Sequence, residues 1–243
     1  MLMRDYKTEF ESRVAWIKKL VEESRCRGIV FGNSGGKDSA LVGLLCKAAC
    51  ENTVGIIMPC NSKRNYGEDA DHAKLLADFC GIESRCIDLS GACAELREEL
   101  EKSTALNSQA LTNLAPRLRM TSLYAVAAAE GLLVAGTGNR SEIYMGYFTK
   151  WGDGACDFNP ISDLSATEVF EFLDFLGAPR EIIDKAPSAG LYEGQTDEQD
   201  MGVSYAAIDR YISGGAVSEE ERAIIERYHS RSEHKRRPYS TFK

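Results

Sequence analysis

The stretch Gly28-Ile-Val-Phe-Gly32-Asn-Ser-Gly-Gly-Lys-Asp-Ser39 decides the fold. Its first five residues are a short apolar run closed by glycine, which reads as a buried strand. Residues 38 to 50 read as a helix, so residues 33–36 form a glycine-rich turn from strand to helix. Such a turn aims backbone amides at one point, and the helix N-terminus adds partial positive charge. Each helix-end interaction contributes roughly 0.3–1 kcal/mol, and up to ~2 kcal/mol when partly buried. Several together hold a polyphosphate. The loop is not a Walker A, which needs GxxxxGK followed by Ser or Thr: the first glycine would fall on Phe31, and Asp38 follows Gly36-Lys37. A GxGxxG dinucleotide fingerprint is absent too.

Outward from this turn, Phe10, Val14, Ile17 and Val21 recur at helical spacing and predict a helix over about residues 5 to 25. Further strands are expected at Val54–Met58, Arg85–Leu89 and Leu132–Ala135, with helices around 67–80 and 114–130. Strand and helix in alternation imply parallel strands joined by crossover helices. The expected fold is therefore α/β, a doubly wound, mostly parallel sheet flanked by helices. Beyond residue 158 the chain turns helical, and Ser165 with Glu168, like Ser218 with Glu221, fits the capping box. No repeat or linker divides the chain, so residues 1–243 read as a single domain. The region between Arg97 and Asn113 carries no motif.

The 243 residues suffice for one large α/β domain, and 44 % hydrophobic with 27 % charged residues is a globular balance. A net charge of −8 disfavours a nucleic-acid surface, which needs a positive field. The local exception is Arg231 to Arg237, either a solvated basic tail or a clamp for a small phosphorylated ligand. No apolar run reaches the roughly 18–20 residues of a membrane helix, and Met1 to Lys7 lack a signal-peptide core. A cytoplasmic protein without a membrane partner is expected. The eight cysteines form no CxxC pair and share no ligand spacing with His72, His229 or His234, so they read as reduced thiols.

Ser34 to Ser39 matches SGGxDS, the signature of the ATP pyrophosphatases, whose fold is adenine nucleotide alpha hydrolase-like. Later segments narrow the resemblance. Gly136-Thr-Gly-Asn-Arg-Ser-Glu142, Gly146-Tyr-Phe-Thr-Lys-Trp-Gly-Asp153, Pro187-Ser-Ala-Gly-Leu191, Gln195-Thr-Asp-Glu198 and Glu233-His-Lys-Arg-Arg237 follow in order. Together with the loop, over roughly nine-tenths of the chain, they resemble the ammonia-dependent NAD synthetases. That resemblance implies adenylation of the nicotinate carboxylate of deamido-NAD by ATP, with release of pyrophosphate, and displacement of AMP by ammonia. It implies that Gly32, Asn33, Ser34, Gly35, Gly36, Lys37, Asp38, Ser39, Thr137 and Ser188 bind ATP. Asp38 and Glu142 would hold Mg²⁺, a hard ion suited to carboxylate oxygens. Arg117, Lys150, Asp157, His234 and Lys235 would contact deamido-NAD. Asp153 would accept the ammonium proton; its other reading is an Asp-Gly turn.

One position departs from the pattern: Ala166 stands where several members carry a phosphate-binding lysine, and Lys37 or Arg140 is expected to supply the charge. The resemblance also implies a homodimer with deamido-NAD bound across the subunit boundary. The synthetase region begins within the first few dozen residues, which leaves no room for an N-terminal amidase-like domain, and no cysteine has a companion base for a glutaminase. Free ammonia is the expected nitrogen donor. Rival readings are a GMP-synthetase-like amidation, tRNA sulfur transfer, or a regulatory module that senses ATP without turnover.

Overall fold

A computed structural model describes residues 4–60, 67–184 and 196–242. Helix α1 (Tyr6–Ser24) starts where the Asp5 carboxylate accepts the Lys7 and Thr8 amides. Four strands follow the sequence pattern: β1 (Gly28–Gly32), β2 (Thr53–Ile57), β3 (Glu83–Cys86) and β4 (Leu132–Ala135). They form one parallel sheet in the order β3-β2-β1-β4. The helices between them are α2 (Lys37–Ala49), α3 (Glu68–Cys80), α4 (Ser90–Glu101), α5 (Ser108–Thr112) and α6 (Leu114–Glu130).

Strand alternation sorts the core onto the two sheet faces. Ile29 and Phe31 of β1 join Ile17, Leu41, Leu45 and Leu76 from α1, α2 and α3 on one face. Val30 points the other way, with Val54, Ile56 and Val134, against Cys93 of α4 and Leu123 and Ala127 of α6. Both faces are covered, as parallel sheets require. The third strand begins two residues before the expected Arg85. Glu83 to Cys86 pair in register with Val54 to Ile57, on an edge whose side chains are mostly exposed, so apolar residues do not mark its start. The ladder continues past it: the Ile87 amide donates to Ile57 O and the Leu89 amide to Pro59 O, both at 2.9 Å. Helices α4 and α5 occupy most of the stretch where the sequence shows no motif.

Beyond β4 come α7 (Arg140–Met145), α8 (Ala166–Phe175), α9 (Arg180–Ile183), α10 (Asp197–Met201), α11 (Tyr205–Ile212), α12 (Glu219–Arg231) and α13 (Glu233–Arg236). Both expected capping boxes form, at Ser165/Glu168 and Ser218/Glu221. Glu168 is buried and also accepts from Arg4 Nε at 2.8 Å, which pins the start of α1 to α8. Met145, Ala166, Met201, Tyr205, Ile208 and Ile225 make a separate core under this helical region. Among the described residues no helix is long and apolar enough to cross a membrane.

The order β3-β2-β1-β4 places a topological switch between β1 and β4, where successive crossovers leave in opposite directions. In open α/β sheets ligands settle in the crevice outside the strand ends at such a point. The loops after β1 and β4 both open there.

Asp209 of α11 ties the helical region to this end of the sheet. It is buried and accepts from the Ser141 hydroxyl, and from the Thr167 amide at 2.9 Å and hydroxyl at 2.6 Å. Asp209→Ala leaves buried donors unpaired, and a loss of about 3 kcal/mol in unfolding free energy is expected. Urea denaturation reads this directly; an unchanged midpoint would show that α7, α8 and α11 do not depend on the carboxylate.

Candidate active site

The phosphate loop is shaped by its own side chains. Asn33 is buried; its amide nitrogen Nδ2 donates to Ala73 O at 2.8 Å and its Oδ1 accepts the Gly35 N–H at 3.2 Å. Gly35 has φ +68°, a left-handed conformation that side chains disfavour. Ser34 Oγ accepts the Gly36 amide at 3.3 Å and lies 3.1 Å from Ser39 Oγ. The turn delivers the chain into α2 with Asp38 in its first turn.

The loop after β4 meets it. A Cβ at Gly136 would come within 2.6 Å of Cys156 Sγ, so only glycine fits this approach. Asn139 then caps α7 in a third capping box: its Oδ1 accepts the Glu142 amide at 3.0 Å, and its own N–H donates to Glu142 Oε2 at 3.1 Å. The other end of the same side chain, Nδ2, donates to Asp38 Oδ1 at 3.0 Å. One fully buried asparagine thus gathers two carboxylates from distant segments of the chain.

Around this pair lies a charged cluster. Lys37 Nζ is 2.5 Å from Asp38 Oδ2, and the Tyr205 hydroxyl donates to Asp197 Oδ2 at 3.0 Å. Burial, and then the neighbouring Asp38, push the Glu142 carboxyl well above its ordinary range, with Lys37 opposing. Burial lowers the Lys37 ammonium, but Asp38 and Glu142 outweigh it and the pKa stands raised. A carboxylate held at such cost gains from a cation nearby. The donor set, two carboxylates opening on a phosphate loop, suits Mg²⁺, which takes one or two carboxylates and completes its shell from phosphate and water. Among the described residues no group of three or more His, Cys, Asp or Glu side chains is placed to hold a metal ion.

A cleft of about 760 Å³ runs from the loop across the sheet ends to the C-terminal helices. Gly32, Asn33, Ser34, Gly36, Lys37, Asp38, Ser39, Thr137 and Glu142 line it, as do Asp153, His234 and Lys235. Asp153 is both a turn residue and a wall residue. Its Oδ1 accepts the Thr149 amide at 3.0 Å, while burial of the carboxyl raises its pKa against the pull of that bond, Lys235 and Arg119. Lys235 Nζ donates to Gly146 O at 2.7 Å and Phe148 O at 2.6 Å, and burial lowers its pKa. Lys150 Nζ donates to His234 O at 2.7 Å, and Arg236 to Tyr144 O at 3.1 Å. The basic tail is therefore stitched to the loop after α7 through carbonyl groups.

Other expected positions fall outside the lining of this cleft. Gly35 lies within the loop behind it. Arg117 is exposed beside Lys150 O, and Asp157 binds the Val134 amide at 2.8 Å and the Tyr124 hydroxyl at 3.1 Å. Arg140 reaches toward Ile212 O, away from the cleft, leaving Lys37 as the expected substitute cation that lines it. Ala166 is fully buried, its amide bonded to Ser141 Oγ at 3.0 Å. Ser188 and the segment around it lie outside the described residues. Sequence reading passed over Asn139, although an asparagine three residues before Glu142 has the capping-box pattern. It also passed over Asn113, whose Oδ1 accepts from Thr149 at 2.9 Å, and Arg119, which no local pattern marks, and it gave no role to Asp197, although the Gln195–Glu198 segment contains it.

Residues 9–239 match the family model described as NAD synthase. The chain is 44 % identical to the NH(3)-dependent NAD(+) synthetase of Carboxydothermus hydrogenoformans, over 96 % of each chain. Among solved structures, the NMN synthetase of Francisella tularensis superposes with a TM-score of 0.93 at 38 % identity, covering 98 % of this chain and 99 % of that one. The NH3-dependent NAD synthetase of Campylobacter jejuni superposes at 0.79 and 27 % identity, covering 99 % of this chain and 100 % of that one. With a phosphate loop, a paired-carboxylate site and matches of this extent, the chain belongs to the NAD synthase family.

Proposed function

We propose that the chain converts deamido-NAD to NAD with ATP and ammonia, releasing pyrophosphate and AMP. The observation that carries this reading is the Asn139 bridge, which holds Asp38 and Glu142 together at the mouth of the Ser34–Ser39 loop. The names of the curated relatives supply ammonia as the nitrogen source and NAD as the product.

In this reading Gly32, Asn33, Ser34, Gly35, Gly36, Lys37, Asp38, Ser39, Thr137 and Ser188 bind ATP, with the loop gripping the departing pyrophosphate. Backbone amides and serine hydroxyls donate to its oxygens, and the α2 N-terminus favours negative charge. Asp38 and Glu142 would hold Mg²⁺, which supplies charge neutralisation on the phosphates. The nicotinate carboxylate lies over the α-phosphorus and becomes adenylated; a free carboxylate is a poor electrophile, whereas AMP is a good leaving group. Asp153 takes a proton from ammonium so that neutral ammonia attacks. Its raised pKa makes it a better base than an exposed aspartate.

His234 and Lys235 contact the dinucleotide from the cleft wall. Arg117 and Asp157 attach to one outward stripe of α6, through Tyr124 in the case of Asp157, and Lys150 lies beside Arg117. That arrangement supports a homodimer in which these residues meet a ligand shared with the second copy. Sedimentation is expected to show a dimer, and a fully active monomer would refute it. Water-soluble substrates of this kind agree with a cytoplasmic enzyme.

A second reading has its own support: the Francisella structure, an NMN synthetase, fits this chain more closely than the Campylobacter one. The same chemistry would then act on nicotinate mononucleotide. Comparing kcat/KM for the two acids separates them. At least a tenfold preference for deamido-NAD is expected, and the opposite preference would replace the dinucleotide reading. In the same assay, AMP and pyrophosphate are the expected nucleotide products. Asp38→Asn should cut turnover by at least about a hundredfold, the scale of losing a transition-state electrostatic contact. Asp153→Asn should flatten the acidic limb of the pH profile, because the group that protonates there is gone. ADP and orthophosphate as products would overturn the whole reaction.

A further inference from the structure

Lys37 stands at the first position of α2, where a lysine side chain ordinarily reaches water. Here it turns inward and is 4 % exposed. Its ammonium is 2.5 Å from Asp38 Oδ2 and 5.5 Å from the ring centroids of both Phe170 and Tyr205. Glu142 and Asp197 are within electrostatic reach, and Asp197, itself buried, is held by the Tyr205 hydroxyl. Three carboxylates from α2, α7 and α10 thus surround one ammonium seated on aromatic faces from α8 and α11. Such a charge persists in the interior only when paired, and the aromatic faces add cation–π attraction.

We propose that Lys37 is a built-in cation of this acid cluster that competes with the divalent ion for Asp38, so that the ion enters with the triphosphate and not ahead of it. The inference rests on the reading that Asp38 and Glu142 form the metal site. The ammonium occupies Asp38 Oδ2, while Asn139 occupies Oδ1, so both oxygens of the shared ligand are already engaged. Without nucleotide, an incoming ion meets a like charge across a few ångströms of poorly screened interior. With nucleotide, the phosphates bring the negative charge that offsets this repulsion.

The experiment uses the intact protein without nucleotide, titrated with Mn²⁺ and followed by the electron paramagnetic resonance of the free ion. Lys37→Met removes the charge, and Lys37→Gln removes it while keeping a hydrogen-bond donor to Asp38. Both variants are expected to bind Mn²⁺ about tenfold more tightly than the parent, the scale of removing one nearby like charge. Both should also melt at lower temperature in chelator and recover more than the parent when Mn²⁺ is added. Unchanged or weaker Mn²⁺ binding in both variants, with binding abolished in Asp38→Asn, would overturn the role of Lys37 and leave the metal site standing. Parent-like binding in Asp38→Asn and Glu142→Gln would remove the metal site itself, and this inference with it.

Discussion

The side-chain amide of Asn139 joins two segments that are otherwise far apart, and the site depends on this contact. One end closes the capping box of α7 and fixes Glu142; the other donates to Asp38 Oδ1 at the start of α2. It can do so because β1 and β4 are neighbouring parallel strands, so the loops leaving their C-terminal ends emerge side by side. Adjacency of these strands requires the chain to run out to β3 and return past β1, which creates the switch point. The fold therefore supplies the crevice, and one buried asparagine supplies its alignment.

Holding carboxylates together inside a protein is unfavourable, and the surrounding structure shows how the burden is spread. Glu142 is driven toward its protonated form by burial and by Asp38, while Lys37 pulls the other way. Burial also pushes the Tyr205 phenol far up, which keeps it a donor to Asp197. Asp209 has a parallel role in the next layer of helices, engaging Ser141 beside Glu142 and the first turn of α8. Charge at the catalytic end is thus balanced by local partners, whereas position is set by contacts from three separate helices.

The C-terminal basic segment shows a different use of charge. Lys235 and Arg236 direct hydrogen bonds to the carbonyl groups of residues 144, 146 and 148, and the Ser232 hydroxyl donates to Met145 O at 3.1 Å. Gly146, with φ +66°, admits Ser232 against the backbone. These bonds hold the tail as one wall of the cleft and bring His234 and Asp153 into the same space. Lys235 and Arg236 are therefore not part of a solvated tail. Their ammonium and guanidinium groups order the wall.

Local chemistry makes much of this legible in the sequence. An apolar run, two glycines and a helix start announce β1, the loop and α2, and Ser-x-x-Glu announces α8 and α12, because each signal acts over a few residues. The edge strand β3 starts earlier than its apolar residues suggest, because an exposed edge needs no apolar pattern, only hydrogen-bond partners on β2. The pairing of Asp38 with Glu142, the inward turn of Lys37 onto Phe170 and Tyr205, and the use of Lys235 as a staple have no local signal. Each depends on groups that only strand order and helix packing bring within reach. Sequence alone determined the strands, the helices with a clear apolar period or capping box, and which residues have suitable chemistry. Tertiary structure decided which of them meet, since burial and electrostatic contact act through space, without regard to distance along the chain.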